Sequence, residues 1–131
     1  MNLLGWYLAV SKLVPFRTST GNTVMVSEIK VESLKRYISI FPKLTVIRKV
    51  ILYGSTLEER CTEESDIDLW FVYDCSIPEY HKLLYKLDIL HGDSNMDDFL
   101  GCTVDIFNNG SSCGAMYSVK NKGVVMYDRT L

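Results

Sequence analysis

The stretch from Lys49 to Asp74, KVILYGSTLEERCTEESDIDLWFVYD, constrains the fold of this chain more than any other. The β-branched, apolar run from Val46 to Tyr53 reads as a buried strand, and Gly54 ends it. Ser55 follows, then ten residues, then Asp66-Ile67-Asp68 at the head of a second apolar run that ends at Tyr73. Beyond its start this second run is apolar on both faces, which places it centrally in a sheet. Gly-Ser after a strand is by itself a common turn, and Asp-x-Asp a common strand end. The two together, with strands on both sides, form a constellation.

Side chains alternate along a strand, so Asp66 and Asp68 project from one face while Ile67 and Leu69 enter the opposite layer. Two half-buried carboxylates so close repel each other unless a cation lies between them. Mg²⁺ suits such a pair, because it takes one or two carboxylates and completes its shell with water and substrate phosphates. A third apolar run, Cys102 to Phe107 (CTVDIF), is expected to be a strand with Asp105 pointing out of the same sheet face. If it lies beside Asp66 to Val72, three carboxylates converge in the manner of two-metal phosphoryl or nucleotidyl transfer. Gly54 lets the backbone turn sharply and approach a phosphate, and Ser55 with the following N–H groups can bind phosphate oxygens.

The rest of the chain supplies cover for this unit. Its 131 residues suit one domain, and 47% hydrophobic with 23% charged residues argues for a globular fold rather than disorder. A net charge of −2 provides no global basic field, which argues against nucleic acid as a partner. Cys61, Cys75, Cys102 and Cys113 form no C-x-x-C pair and have no His partner at zinc spacing, so a reducing, cytoplasmic setting is expected. His81 and His91 share no metal-ligand spacing and read as surface or partly packed residues. The apolar LLGWYLAV near the N-terminus is far shorter than the roughly 20 residues of a membrane span, and no positive region precedes it as in a secretory signal.

Residues 1–26 read as an N-terminal extension of uncertain structure, with one short helix stopped by Pro15 and a turn-rich RTSTGN. The domain proper is expected over 27–131. Ser27 is expected to cap a helix that ends before Pro42, and Ser76-x-x-Glu79 is a capping box for a second helix ending near Gly92. DSNMDD, 93–98, reads as an acidic loop without the pattern of a calcium site. A short helix over Ser112 to Lys120 and a last strand, VVMY, complete the order α-β-β-α-β-α-β. The fold class is α/β (α+β): a mixed sheet of about four strands with helices packed on one face.

Gly54, Ser55, ten residues and Asp66-Ile67-Asp68 resemble the polymerase-beta-type nucleotidyltransferase superfamily, most closely its minimal, antitoxin-like stand-alone members. SDIDL at 65–69, VDIF at 104–107 and GVVMY at 123–127 extend the resemblance over about 27–127. The resemblance implies ATP as donor, two Mg²⁺ held by Asp66, Asp68 and Asp105, and phosphate contact from Gly54 and Ser55. It implies a HEPN-type ribonuclease toxin as partner, neutralised in some family members by adenylylation of a toxin tyrosine. The loop departs from the usual GSRARG: Thr56 stands in place of an Arg, and Glu59 in place of a Gly.

The resemblance implies three candidate functions. The first is Mg²⁺-dependent transfer of AMP from ATP to a protein hydroxyl, and the second is neutralisation of a toxin by complex formation alone. The third, nucleotidyl transfer to an antibiotic, shares the chemistry but calls for an acceptor pocket. For transfer, the acceptor surface is expected from another polypeptide or a second copy of the chain.

Overall fold

The computed structural model describes residues 11–94, 97–110 and 114–130. The helix expected near the N-terminus lies largely outside the described residues. Strands β1 (Leu13–Arg17) and β2 (Thr23–Ser27) form an antiparallel hairpin. Then come α1 (Val31–Ile40), β3 (Ile47–Tyr53), β4 (Asp68–Tyr73) and α2 (Ile77–His91). β5 (Asp98–Thr103), α3 (Val104–Asn109), α4 (Ala115–Lys122) and β6 (Val124–Asp128) follow.

The main sheet has four strands in the order β5-β4-β3-β6. β3 pairs antiparallel with β4 and β6, and β4 pairs parallel with β5, so the sheet is mixed as the sequence predicts. Alternation sorts its side chains into two layers. Val50, Leu52, Leu69, Phe71 and Phe99 join Leu34, Tyr37 and Phe41 of the α1 region and Leu83 and Leu87 of α2. Ile51, Tyr53, Trp70, Val72 and Cys102 face the other way, toward Val119 of α4 and Phe107 of α3. The expected layer of helices is therefore α1 with α2, and the structure adds α3 and α4 on the second face.

Several local features differ from expectation for physical reasons. The hairpin was not legible as strands, yet its Phe16 and Val26 are in the main core. Ser27 caps no helix: its hydroxyl pairs with that of Ser11, a 3-10 turn over Glu28–Lys30 intervenes, and the α-helix starts at Val31. Ser76 does cap α2, accepting from the Glu79 N–H at 3.3 Å, and Gly92 closes that helix at φ 83°.

The third strand is displaced along the chain. It is Asp98–Thr103 rather than Cys102 to Phe107, and Asp105 lies in the first turn of α3. Thr103 caps that helix by accepting from the Ile106 N–H at 3.3 Å, and a carboxylate in the first turn suits the helix dipole. Gly101 permits the displaced strand, because a Cβ there would collide with the Phe71 carbonyl and the Tyr80 hydroxyl.

Candidate active site

β3 ends at Tyr53 where β4 begins at Asp68, and these two residues are paired neighbours. On the other side Asp68 is paired with Asp98, the first residue of β5. Tyr53, Asp68 and Asp98 thus form one rung across three strands, with adjacent backbones about 4.8 Å apart. Alternation puts all three on the face shared with Trp70 and Cys102.

Gly54 closes the rung. Its φ of 82° lies in the left-handed region, and a Cβ would overlap the Asp68 carboxylate, so glycine is required for both conformation and space. A 3-10 turn over Gly54–Leu57 follows, exposing part of Ser55 and burying Thr56 completely. The Thr56 hydroxyl has no hydrogen-bond partner among the described residues. Glu58, Glu59 and Arg60 are exposed, and Arg60 pairs with Glu58. The loop is anchored by the Ser11 N–H, which donates to the Glu59 carbonyl at 3.1 Å.

The electrostatics follow from this crowding. Burial, then the charges of Asp98, Asp66 and Asp97, push the Asp68 carboxyl up to about 6, with Arg60 opposing. The Tyr53 hydroxyl is pushed up to about 12 by burial and by the same Asp68 and Asp98 charges. Asp66 is exposed just before β4. A half-buried carboxylate held among other carboxylates attracts a cation.

Asp66, Asp68, Gly54 and Ser55 are therefore gathered at one end of the sheet, and Asp105 is not among them. Asp98 and Thr103 are five residue steps apart along β5, about 17 Å of strand, and Asp105 lies beyond. It lines a cavity of about 580 Å³ with Arg48, Lys49, Asp74 and Asp128 at the opposite end of the sheet. The carboxylate that joins the pair is Asp98, part of the DSNMDD stretch expected to be an acidic loop. Only the parallel register of β4 and β5 identifies it.

The sequence profile of the family described as Polymerase beta, Nucleotidyltransferase matches residues 35–130. This chain belongs to that family. The match begins within α1 and contains the Gly54 turn, Asp66, Asp68 and Asp98. No curated protein matches the chain.

Nucleotidyltransferases of this family generally use a nucleoside triphosphate and a divalent metal. The donors around the rung are carboxylate oxygens, the ligands that hard divalent cations prefer. No group of three or more His, Cys, Asp or Glu side chains among the described residues is drawn together as a metal cage. Mg²⁺ does not demand one, since one or two carboxylates plus substrate phosphates suffice. The residues fit the ion on that basis. No helix among the described residues is long and apolar enough to cross a membrane.

Proposed function

We propose that this nucleotidyltransferase is an adenylyltransferase that moves AMP from ATP to a hydroxyl of a protein partner, a HEPN-type toxin that it neutralises. The observation that supports nucleotidyl transfer is the Tyr53–Asp68–Asp98 rung beside the glycine turn at Gly54, and the ATP donor and toxin partner follow the superfamily resemblance. Asp66 and Asp68 would hold Mg²⁺ with Asp98 beside them. When bound, the metal would supply charge stabilisation at the attacking and leaving oxygens.

The chain's own groups divide the remaining work. Gly54 and Ser55 take phosphate oxygens of the donor through backbone N–H groups and the Ser55 hydroxyl. Asp98, exposed on the same face as Asp68, accepts the proton of the acceptor hydroxyl at its carboxylate. The acceptor oxygen forms a bond to the α-phosphorus, the bond from that phosphorus to the bridging oxygen breaks, and pyrophosphate leaves. Tyr53 stays a neutral O–H donor beside these carboxylates, because burial and their charges hold its proton. The free thiols of Cys61, Cys75 and Cys102 support a reducing, cytoplasmic setting.

A second reading, a binding module that neutralises its partner by complex formation, is favoured by the loop after Ser55. Thr56 is buried where the superfamily resemblance expects Arg, and the nearby cation Arg60 is paired with Glu58. ATP labelled at the α-phosphate, incubated with the chain and a small helical partner encoded beside it, separates the two. The enzyme reading expects label on the partner and none with an Asp66→Ala, Asp68→Ala double variant. Equal labelling by that variant would sink it, and protection of cells without labelling would favour the binding module.

A further inference from the structure

The residue between the two carboxylates of Asp66-Ile67-Asp68 has both its backbone polar groups taken by Asp97 and by Asp98, the first residue of β5. The Ile67 N–H donates to Asp97 Oδ1 at 2.9 Å. The Ile67 carbonyl accepts from the Asp98 N–H at 3.0 Å. The other oxygen of the same carboxylate, Asp97 Oδ2, accepts from the Tyr37 hydroxyl of α1.

Tyr37 is itself immobilised. It is fully buried, stacked on His91 at 3.9 Å between ring centroids, and met edge-on by Phe99 at 5.9 Å. His91 Nε2 is in turn held by the Ser33 hydroxyl at 2.9 Å. A continuous set of contacts thus runs from the buried faces of α1 and α2, through Asp97, to the peptide that carries both carboxylates.

We propose that Asp97 and Tyr37 are positioning residues that set the Asp66-Ile67-Asp68 backbone for cation and triphosphate binding. The proposal rests on the nucleotidyl-transfer reading above and deepens it. Asp97 touches no reacting atom; it works through the Ile67 amide. Side chains on either side of that peptide move with it, and a misplacement of about 1 Å at such a site can cost on the order of 10²-fold in rate. Asp97 is also the residue before Asp98, so the same short segment places all three carboxylates.

The full chain is tested with Mn²⁺·ATP as the probe, binding being read from the electron paramagnetic resonance of free Mn²⁺. Hydrogen exchange at the Ile67 amide and the thermal midpoint are read alongside. Asp97→Ala is expected to speed exchange at Ile67 and weaken Mn²⁺·ATP at least ten-fold in protein that is still folded. Asp97→Asn keeps an oxygen for the Ile67 N–H and an amide for the Tyr37 oxygen, so affinity should return to within about three-fold of wild type. Tyr37→Phe retains the ring stack but loses the O–H, and a two- to five-fold weakening is expected.

A merely structural role predicts a lower midpoint with unchanged affinity, and that result overturns the proposal. Asp97→Asn as damaging as Asp97→Ala also overturns it. If Asp97→Ala does not fold, unchanged affinity in Tyr37→Phe is the overturning result. Failure of the wild type itself to take up Mn²⁺·ATP, with Asp97-dependent protection of Ile67 intact, would overturn the nucleotidyl-transfer reading and this role with it.

Discussion

Asp68→Asn should make the folded protein more stable near neutral pH while removing its chemistry. Burial, then Asp98, Asp66 and Asp97, push the Asp68 carboxyl from an ordinary 3.8 up to about 6. A carboxyl with a folded-state value above its unfolded one imposes no penalty below about pH 4, where both states are protonated. The penalty grows as pH rises through 6 and is complete above it. Unscreened, a displacement of that size corresponds to about 3 kcal/mol. Asp68 is only half-buried, so solvent screening reduces this to about 1 kcal/mol.

In a 131-residue domain that is worth roughly 4 °C in Tm. The asparagine keeps the shape and drops the charge. Thermal unfolding followed by circular dichroism should give equal Tm values for variant and wild type at pH 4, and a gap of about 4 °C in the variant's favour at pH 8. Mg²⁺ with ATP should raise the wild type and narrow the gap. A difference independent of pH, or a variant that melts below wild type at pH 8, would refute the picture of Asp68 as a carboxylate held among others without a cation.

Three further outcomes are expected. Gly54→Ala should destabilise the protein by at least about 1–2 kcal/mol in urea titration, from the backbone at φ 82° alone, and should abolish nucleotide binding because its Cβ displaces the Asp68 carboxylate. Ser76→Ala removes the cap of α2, far from the rung, so urea titration should show a loss of about 1 kcal/mol with ATP affinity unchanged. Chelation of divalent ions should abolish AMP transfer without unfolding, and added Mg²⁺ should restore it, as read by labelling and circular dichroism on the same sample.

The β3–β4 hairpin is legible in the sequence because its signals are local. An apolar β-branched run, a glycine and a second run with acids at its head define β3, the turn and β4 without reference to anything distant. The cap of α2 is local in the same way. Asp98 and Asp105 show where locality ends. CTVDIF has the composition of a strand, whereas DFLGCT carries an interior glycine that reads as a breaker. What decides between them is contact with β4: Gly101 fits under the Phe71 carbonyl, and Thr103 leaves the sheet to cap a helix. The hairpin β1–β2 was hidden similarly, by Pro15 and a turn-rich tip, since the packing of Phe16 and Val26 depends on a core assembled elsewhere.

The central claim is that Asp66 and Asp68 act with Asp98 at one end of the sheet, and that Asp105 at the other end takes no part. It is tested most directly by AMP transfer from α-labelled ATP in the presence of Mg²⁺, comparing Asp98→Ala with Asp105→Ala. The account predicts that Asp98→Ala lowers transfer by roughly 10²-fold or more, the scale of a lost proton acceptor, while Asp105→Ala stays close to wild type. Loss of transfer in Asp105→Ala with Asp98→Ala unaffected would contradict it.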